Sequence, residues 1–360
     1  MTHPLDRFPR LMPGYIRGGG VKELVDCAFL AFNSARLREA CHLFVRRYSR
    51  PETTVAVSAA GALTPAGLGV SCLVPLMRAG LIDWMVLTGA NLYHDLHFAL
   101  GQPLHMGSHL IDDRELRANG VVRIYDILFE SKVLFEADAY IREFCASLGS
   151  RGRIGSAEFH HLLGKKLLSD VPRNRDASVL MTAAELGVPL FTSSPGDSAL
   201  GMNMAAAALD GADIDFDCTL DVNMTAAIVH AAKKAGGYSG VFLLGGGSPK
   251  NYILQTEPYI QEILMIPESG HDYFIQFTDA RPDTGGLSGA TPSEAVSWGK
   301  INPDRLPDTV VCYGDTTVYL PLLTAYVLES GAERPQKRLY DRLGDLLADL
   351  RTDAAKSARP

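Results

Sequence analysis

The sequence is short of features that would tie it to a membrane, a secretory route or nucleic acid. None of its apolar runs approaches the ~18 residues that a membrane span needs. Residues Met1 to Gly20 carry Pro, Arg and Gly but no apolar core of a secretory signal, so the expected location is cytoplasmic. There is no Lys/Arg-rich tract, and the formal net charge of −7 with a pI of about 5.8 argues against nucleic acid as a partner. The six cysteines (Cys27, Cys41, Cys72, Cys145, Cys218 and Cys312) are scattered, with no C-x-x-C pair. Most lie in apolar segments and read as buried thiols in a reducing compartment, not as a disulfide framework. No metal is expected. His105, His109, Asp112 and Asp113 share a loop but match no ligand spacing, and Asp213, Asp215 and Asp217 alternate without the Gly and Glu of an EF-hand. Internal repeats and low-complexity linkers are absent too.

What is present is an ordinary globular composition: 47% hydrophobic, 21% charged, mean hydropathy +0.05. Val21–Tyr48 has helical periodicity, with apolar stripes at Leu24, Cys27, Ala28, Ala31, Phe32 and at Leu37, Ala40, Cys41, Phe44. A series of short apolar strands follows, each running into a loop of small residues and then a helix. Thr53–Val57 leads into Ser58–Gly69, and Trp84–Leu87 into Thr88–Asp95. Val188–Thr192 leads into Ser193–Gly201, and Val241–Leu244 into Gly245–Lys250. Consecutive strand–loop–helix units predict a parallel sheet whose loops share the carboxyl rim, where ligands bind. The first loop suits phosphate or is a plain turn. The three glycines at 245–247 require backbone to pass close to something, with a ligand favoured over packing. Val121–Phe129 reads as a strand, Gly149–Gly155 as a turn, and Asp213–Asp217 as a solvated turn. Ala137–Leu148, Glu158–Lys166 and Ala177–Leu186 read as helices. So do Asp221–Lys234 (capped by Asp221 or Asn223), Asn251–Leu264, Val318–Ser330 and Arg334–Leu350. The expected organisation is a helical segment over 1–50, an α/β domain over 51–350 and a tail over 351–360.

The chemistry concentrates in Ser293-Glu294-Ala295-Val296-Ser297-Trp298-Gly299-Lys300, after the Gly/Pro/Asp-rich loop Arg281–Thr291. On a short helix Glu294 and Trp298 share a face, and Gly299 marks its end just before Lys300. A lysine beside apolar surface loses preference for its charged form, and a neutral amine is a nucleophile. A carboxylate there holds a cation or moves protons. By spacing alone, a solvated helix end with a packed Trp is the more ordinary outcome, since one Lys near one Trp is common.

This octapeptide resembles the active-site segment of deoxyhypusine synthases. Further segments match that family in the same order from about Val55 to Glu329, most closely from Gly245 to Lys300. The resemblance implies an α/β, Rossmann-like, parallel-sheet domain with added N-terminal helices, binding NAD and assembling as a homotetramer with sites shared between subunits. It implies an enzyme that takes an aminobutyl group from spermidine as an imine on a lysine and passes it to an acceptor amine. Lys300 would be that lysine, Trp298 would pack along the amine chain, and Glu294 would hold an ammonium, with Gly285 and Ser288 also on the substrate side. The NAD positions would be Gly61, Ala62, Leu63, Thr64, Pro65, Thr88, Gly89, Ala90, His94, Asp197, Gly247, Asp279, Asp315 and Thr316, with Thr278 an alternative to Asp279.

Departures from the eukaryotic pattern are specific. Two glutamates are replaced by Tyr93-His94, aspartates by Met202 and Leu287, and a histidine by Tyr252. Each lost acid removes a charge-assisted bond of about 1.5–3 kcal/mol to a polyamine. The chain therefore resembles the bacterial deoxyhypusine synthase-like group, for which a small amine acceptor, as in homospermidine synthesis, is the alternative. A non-catalytic NAD-binding homologue is a second alternative, and the intact Glu294, Trp298 and Lys300 argue against it.

Overall fold

The computed structural model describes residues 10–149 and 151–357. Six parallel strands form its main sheet: β1 (Thr53–Ala59), β2 (Trp84–Leu87), β3 (Leu190–Thr192), β4 (Tyr238–Leu244), β5 (Tyr273–Thr278) and β6 (Thr309–Tyr313). Their spatial order is β6-β5-β4-β1-β2-β3. Val57 of β1 pairs with Met85 on one side and Phe242 on the other. The strand order reverses between β1 and β4, and a doubly wound sheet binds ligand in the crevice outside that switch point.

The strands are near-continuous apolar runs because both faces are covered. Successive residues alternate between two cores. Val57, Phe242, Tyr273, Ile275 and Phe277 join one cluster. Ala56, Trp84, Phe191, Val241, Leu243 and Phe274 join the other. Full burial of one such aromatic or aliphatic side chain is worth about 1.5–3 kcal/mol.

The N-terminal helical segment is two helices, Gly20–Ala28 and Phe32–Leu43, the second running into a wider turn over Phe44–Tyr48. Phe44 stacks on Tyr48 with ring centroids 4.9 Å apart, and the Tyr48 hydroxyl donates to the Val241 carbonyl at 2.8 Å. These rings lie in the same core as β1 and β4.

Several expectations are corrected. The Gly149–Gly155 and Asp213–Asp217 turns contain Gly152–Ile154 and Ile214–Phe216, which pair as two short parallel strands. Each buries one isoleucine, Ile154 or Ile214, too little apolar signal to reveal a strand. The following helix is Cys218–Lys234, and its cap is Asp217, which accepts from the Leu220 N–H at 2.9 Å. Asp221 is instead buried and accepts from the Ser156 N–H at 2.9 Å. Val121–Phe129 is a hairpin of Val121–Ile124 and Ile127–Glu130. Arg334–Leu350 is not one helix: its start is a strap across the amino ends of the strands. Arg334 pairs with buried Asp83 at 2.6 Å, and the Lys337 amine donates to the Thr53 carbonyl and Thr54 hydroxyl, each at 2.9 Å. The helix proper is Leu343–Lys356, beyond the expected end at Leu350. Residues 1–9 and 358–360, part of the N-terminal stretch and of the tail, lie outside the described residues. Among the described residues no helix is long and apolar enough to cross a membrane.

Candidate active site

The loop that leaves β5 ends at Thr291, whose hydroxyl accepts from the Glu294 N–H at 3.2 Å and caps the helix Pro292–Ser297. Proline at the first helical position suits this start. Trp298 ends the helix, and Gly299 follows at φ +65°. The Gly299 N–H returns to the Val296 carbonyl and the Lys300 N–H to the Ala295 carbonyl, each at 3.0 Å. That pair of bonds is a Schellman turn, and its left-handed residue suits glycine. A Cβ at 299 would also lie 2.7 Å from the Gln261 Oε1. The Lys300 carbonyl then accepts from the His271 N–H at 3.0 Å, so the main chain of Lys300 is held on both sides.

The Lys300 amine is half-buried, 5.6 Å from the Trp298 ring centroid, and donates to the Asn251 Oδ1 at 3.0 Å. Burial lowers its pKa, and the Glu294 carboxylate opposes that shift. A cavity of about 280 Å³ opens on it, lined among others by Lys250, Asn251, Leu287, Glu294 and Trp298. Among the described residues, Glu294 is the only acidic one lining it. A second cavity of about 400 Å³, lined by Tyr252, Tyr259, Ile263 and Val222, shares Asn251, Gln255 and Leu287 with the first. From the 281–291 loop, Leu287 and Ala290 line the Lys300 cavity, while Gly285 and Ser288 do not. Ser288 serves the protein: its hydroxyl accepts from the Gly247 N–H at 2.8 Å, and its carbonyl accepts from Gln276 at 2.8 Å.

Sequence reasoning missed Asn251 and Lys250. Lys250 is 2% exposed, and burial together with nearby Lys300 pushes it down to about 8. The signal available was position: they are the fourth and fifth residues of the helix Gly247–Leu254 that the glycine loop launches.

That glycine loop is explained in part by packing. A Cβ at Gly246 would strike Ser288, so the close approach there is protein against protein, not ligand. Gly247, at φ +59°, has open space where a Cβ would be, and so does Gly61, at φ +63°. These two glycines flank the β1/β4 switch. Asn91, also missed, stitches the loops beside them. Its Oδ1 accepts from the Leu63 and Thr64 N–H groups at 2.7 and 3.2 Å, and its Nδ2 donates to the Gly61 carbonyl at 3.1 Å. The Thr88 hydroxyl donates to the same carbonyl at 2.6 Å, and Gly89 lies against Ser198.

A family model described as deoxyhypusine synthase matches residues 24–327. The chain belongs to the deoxyhypusine synthase family. It is 55% identical over 342 residues to the deoxyhypusine synthase-like protein of Nostoc punctiforme, covering 94% of this chain and 87% of that one. It is 36% identical over 324 residues to a Methanosarcina mazei protein assigned as deoxyhypusine synthase 2, covering 90% and 91% of the two. The crystal structure of an Entamoeba histolytica protein assigned to the same enzyme superposes with a TM-score of 0.58 at 12% identity, over 90% of this chain and 99% of that one, and so shares the fold.

Against the deoxyhypusine synthase pattern, the expected cofactor residues fall on several strand ends. Asp279 and Asp197 are exposed, at the ends of β5 and in the loop after β3. Asp315 caps the helix Thr316–Glu329 through the Thr317 N–H at 2.7 Å, and the Thr316 hydroxyl donates to the Phe277 carbonyl at 3.3 Å. Ala62, Pro65 and Ala90 belong to the loops and helix start that Asn91 joins. His94 differs: its ring packs among Tyr93, His97 and Phe129, and burial lowers it to about 4, so it is neutral.

Proposed function

We propose that this chain is an NAD-dependent transferase that moves an aminobutyl-type group from a spermidine-like polyamine to an acceptor amine through an imine on Lys300. The observation that carries this reading is the Lys300 amine itself. It is part desolvated beside an indole, has one neutral acceptor, and faces a cavity with a single carboxylate.

The rim fits a dinucleotide. Gly61 and Gly247 leave backbone open on both sides of the switch point, and the exposed carboxylates of Asp279 and Asp315 stand at neighbouring strand ends. Gly61 to Pro65, Thr88 to Ala90, Asp197, Gly247, Asp279, Asp315 and Thr316 would hold it. NAD held there would supply hydride chemistry, with the carbon beside the donor nitrogen oxidised first and the transferred carbon reduced at the end, for no net redox change. This chain's residues do the rest. Glu294 holds an ammonium of the donor, and Trp298 covers its methylene chain. The uncharged Lys300 amine adds to the oxidised carbon. Its C–N bond forms as the bond to the departing amine breaks, and the departing nitrogen takes up the proton that Lys300 gives up. An acceptor amine repeats the exchange and frees Lys300.

A small diamine as acceptor, as in homospermidine synthesis, is the alternative within the same reading. Assembly as a homotetramer, with sites between subunits, belongs to the same reading.

The test is incubation with NAD and a panel of polyamines, with products identified by mass, in wild type and Lys300→Arg. Transfer should fall at least about 10³-fold in Lys300→Arg while NAD binding holds. Borohydride should trap an adduct on the peptide containing Lys300. Wild-type transfer by the variant, or an adduct on another lysine, rejects the mechanism.

A further inference from the structure

Lys250 is the cation the proposed chemistry has not used. It is among the largest fully buried side chains, and it lines the Lys300 cavity. Burying an ammonium is costly, so its surroundings ought to contain a carboxylate partner. They contain neutral oxygens instead. The amine donates to the Ala290 carbonyl at 2.7 Å, the Gln276 Oε1 at 3.0 Å and the Ser288 carbonyl at 3.3 Å. Gln276 is fixed in turn, donating to the Gly245 and Ser288 carbonyls at 2.9 and 2.8 Å. Three acceptors match the three N–H bonds of an ammonium, and a neutral amine has a donor for only two of them. Lys300 has one acceptor, Asn251.

The titratable groups lining the cavity are Lys250, Lys300 and Glu294. Beneath the Lys300 main chain, His271 is pushed down to about 3 and Glu257 up to about 8 by burial, so both are neutral near pH 7. One carboxylate therefore faces two amines. Two like charges in one desolvated site disfavour each other, and the proton stays where hydrogen bonds serve it best. By acceptor count that place is Lys250. Burial acts against it, as does Lys300, and the Glu294 carboxylate opposes both. The three oxygens, at 2.7–3.3 Å, are acceptors that only the ammonium can use in full.

We propose that Lys250 is a positioning residue: its ammonium, locked by Gln276, Ser288 and Ala290, keeps the Lys300 amine free of its proton and ready to attack carbon. Two of the three bonds, to Ser288 and Ala290, tie the 281–291 loop to the helix Gly247–Leu254, and the third reaches Gln276 on β5, so the charge and the cavity roof are set together. This rests on Lys300 being the nucleophile of the proposed transfer, but its test does not require turnover.

The experiment is competitive acetylation of the full-length protein across pH, read as the labelling rate of the Lys300 peptide by mass spectrometry. The wild-type midpoint for Lys300 should fall below the ordinary lysine value of about 10.4. Lys250→Met and Lys250→Gln should raise it by about one unit, slowing Lys300 labelling about tenfold near pH 8. Lys250→Arg, which keeps the charge and can serve the same oxygens, should stay within about twofold of wild type. Gln donates hydrogen bonds without charge, so it separates an electrostatic role from a merely structural one. A wild-type midpoint at or above the ordinary value overturns the proposal without any variant. An unchanged midpoint in folded Lys250→Gln, or a shift in Lys250→Arg as large as in Lys250→Gln, overturns it as well. Absence of polyamine transfer in wild type with these shifts intact would reject the proposed reaction and leave the role of Lys250 standing.

Discussion

The two rims of the sheet treat charge in opposite ways. At the amino ends of the strands, the most deeply buried charges are matched by opposite charges, while half-buried Lys337 donates to the neutral oxygens of Thr53 and Thr54. Asp83 and Arg334 pair with side chains 1% exposed on each side, and Asp272 accepts from Lys233 at 2.8 Å and from the Ser239 N–H at 2.9 Å. At the carboxyl ends, charge is held by neutral groups or by little at all. Lys250 faces three uncharged oxygens and Lys300 one. The buried hydroxyls of Ser58, Thr192 and Ser193 have no protein partner. Unmet bonding capacity near the carboxyl ends lies where a ligand of a doubly wound sheet would supply what is missing.

Breaking the matched edge should cost the most. Arg334→Met leaves the Asp83 carboxylate buried and unpaired, so urea unfolding should show a loss of about 3–5 kcal/mol. Transfer activity measured well below the melting point should be unchanged. A loss under about 1 kcal/mol would mean that water reaches Asp83 and that the two rims differ less than described. At the other edge, Gly246→Ala drives a methyl group into Ser288 and displaces the loop over Lys250. Overpacking of this kind costs about 1–3 kcal/mol, and Lys300 labelling should lose its low midpoint in the same variant. Stability lost with the midpoint intact would separate the loop from the lysine.

A third effect, read as a slope against pH, concerns Glu257, beneath the Lys300 turn, where burial pushes its carboxyl up to about 8. A raised carboxyl binds a proton in the folded state that the unfolded chain releases at about 4.3. Its contribution is fully present below that value and is lost as pH rises through about 8. Between about pH 5 and pH 8 the unfolding free energy of wild type should therefore decline more steeply than that of Glu257→Gln. Equal slopes would show that Glu257 is ionised in the fold.

Much of this was legible in sequence where the deciding contacts are local. Gly299 announced the end of a helix because its Schellman bonds span only residues 295–300, and small-residue loops after β-branched strands announced the sheet. Lys250 was not legible. In sequence it is only the last residue of the loop Gly245–Lys250, and its burial is created by residues 276–290, farther along the chain. The strap from Arg334 to Lys337 failed for the same reason. Its partners, Asp83, Thr53 and Thr54, are some 250 to 280 residues away in sequence, and no helical periodicity reports them.

The main-chain clasp on Lys300 has a consequence for how the protein can diversify. Its N–H and carbonyl are both engaged, so the Cα is an anchor point, while the four side-chain torsions beyond it remain available. The amine is then a swinging arm on a fixed pivot, able to meet carbon atoms at different depths of the cavity without any change in the turn. In the proposed transfer, selectivity for one amine over another would be left to the walls. Leu287 and Tyr252 can be exchanged in evolution or by design at no cost to the pivot, and a library varied only at those two positions should yield altered donor or acceptor preference from the same lysine.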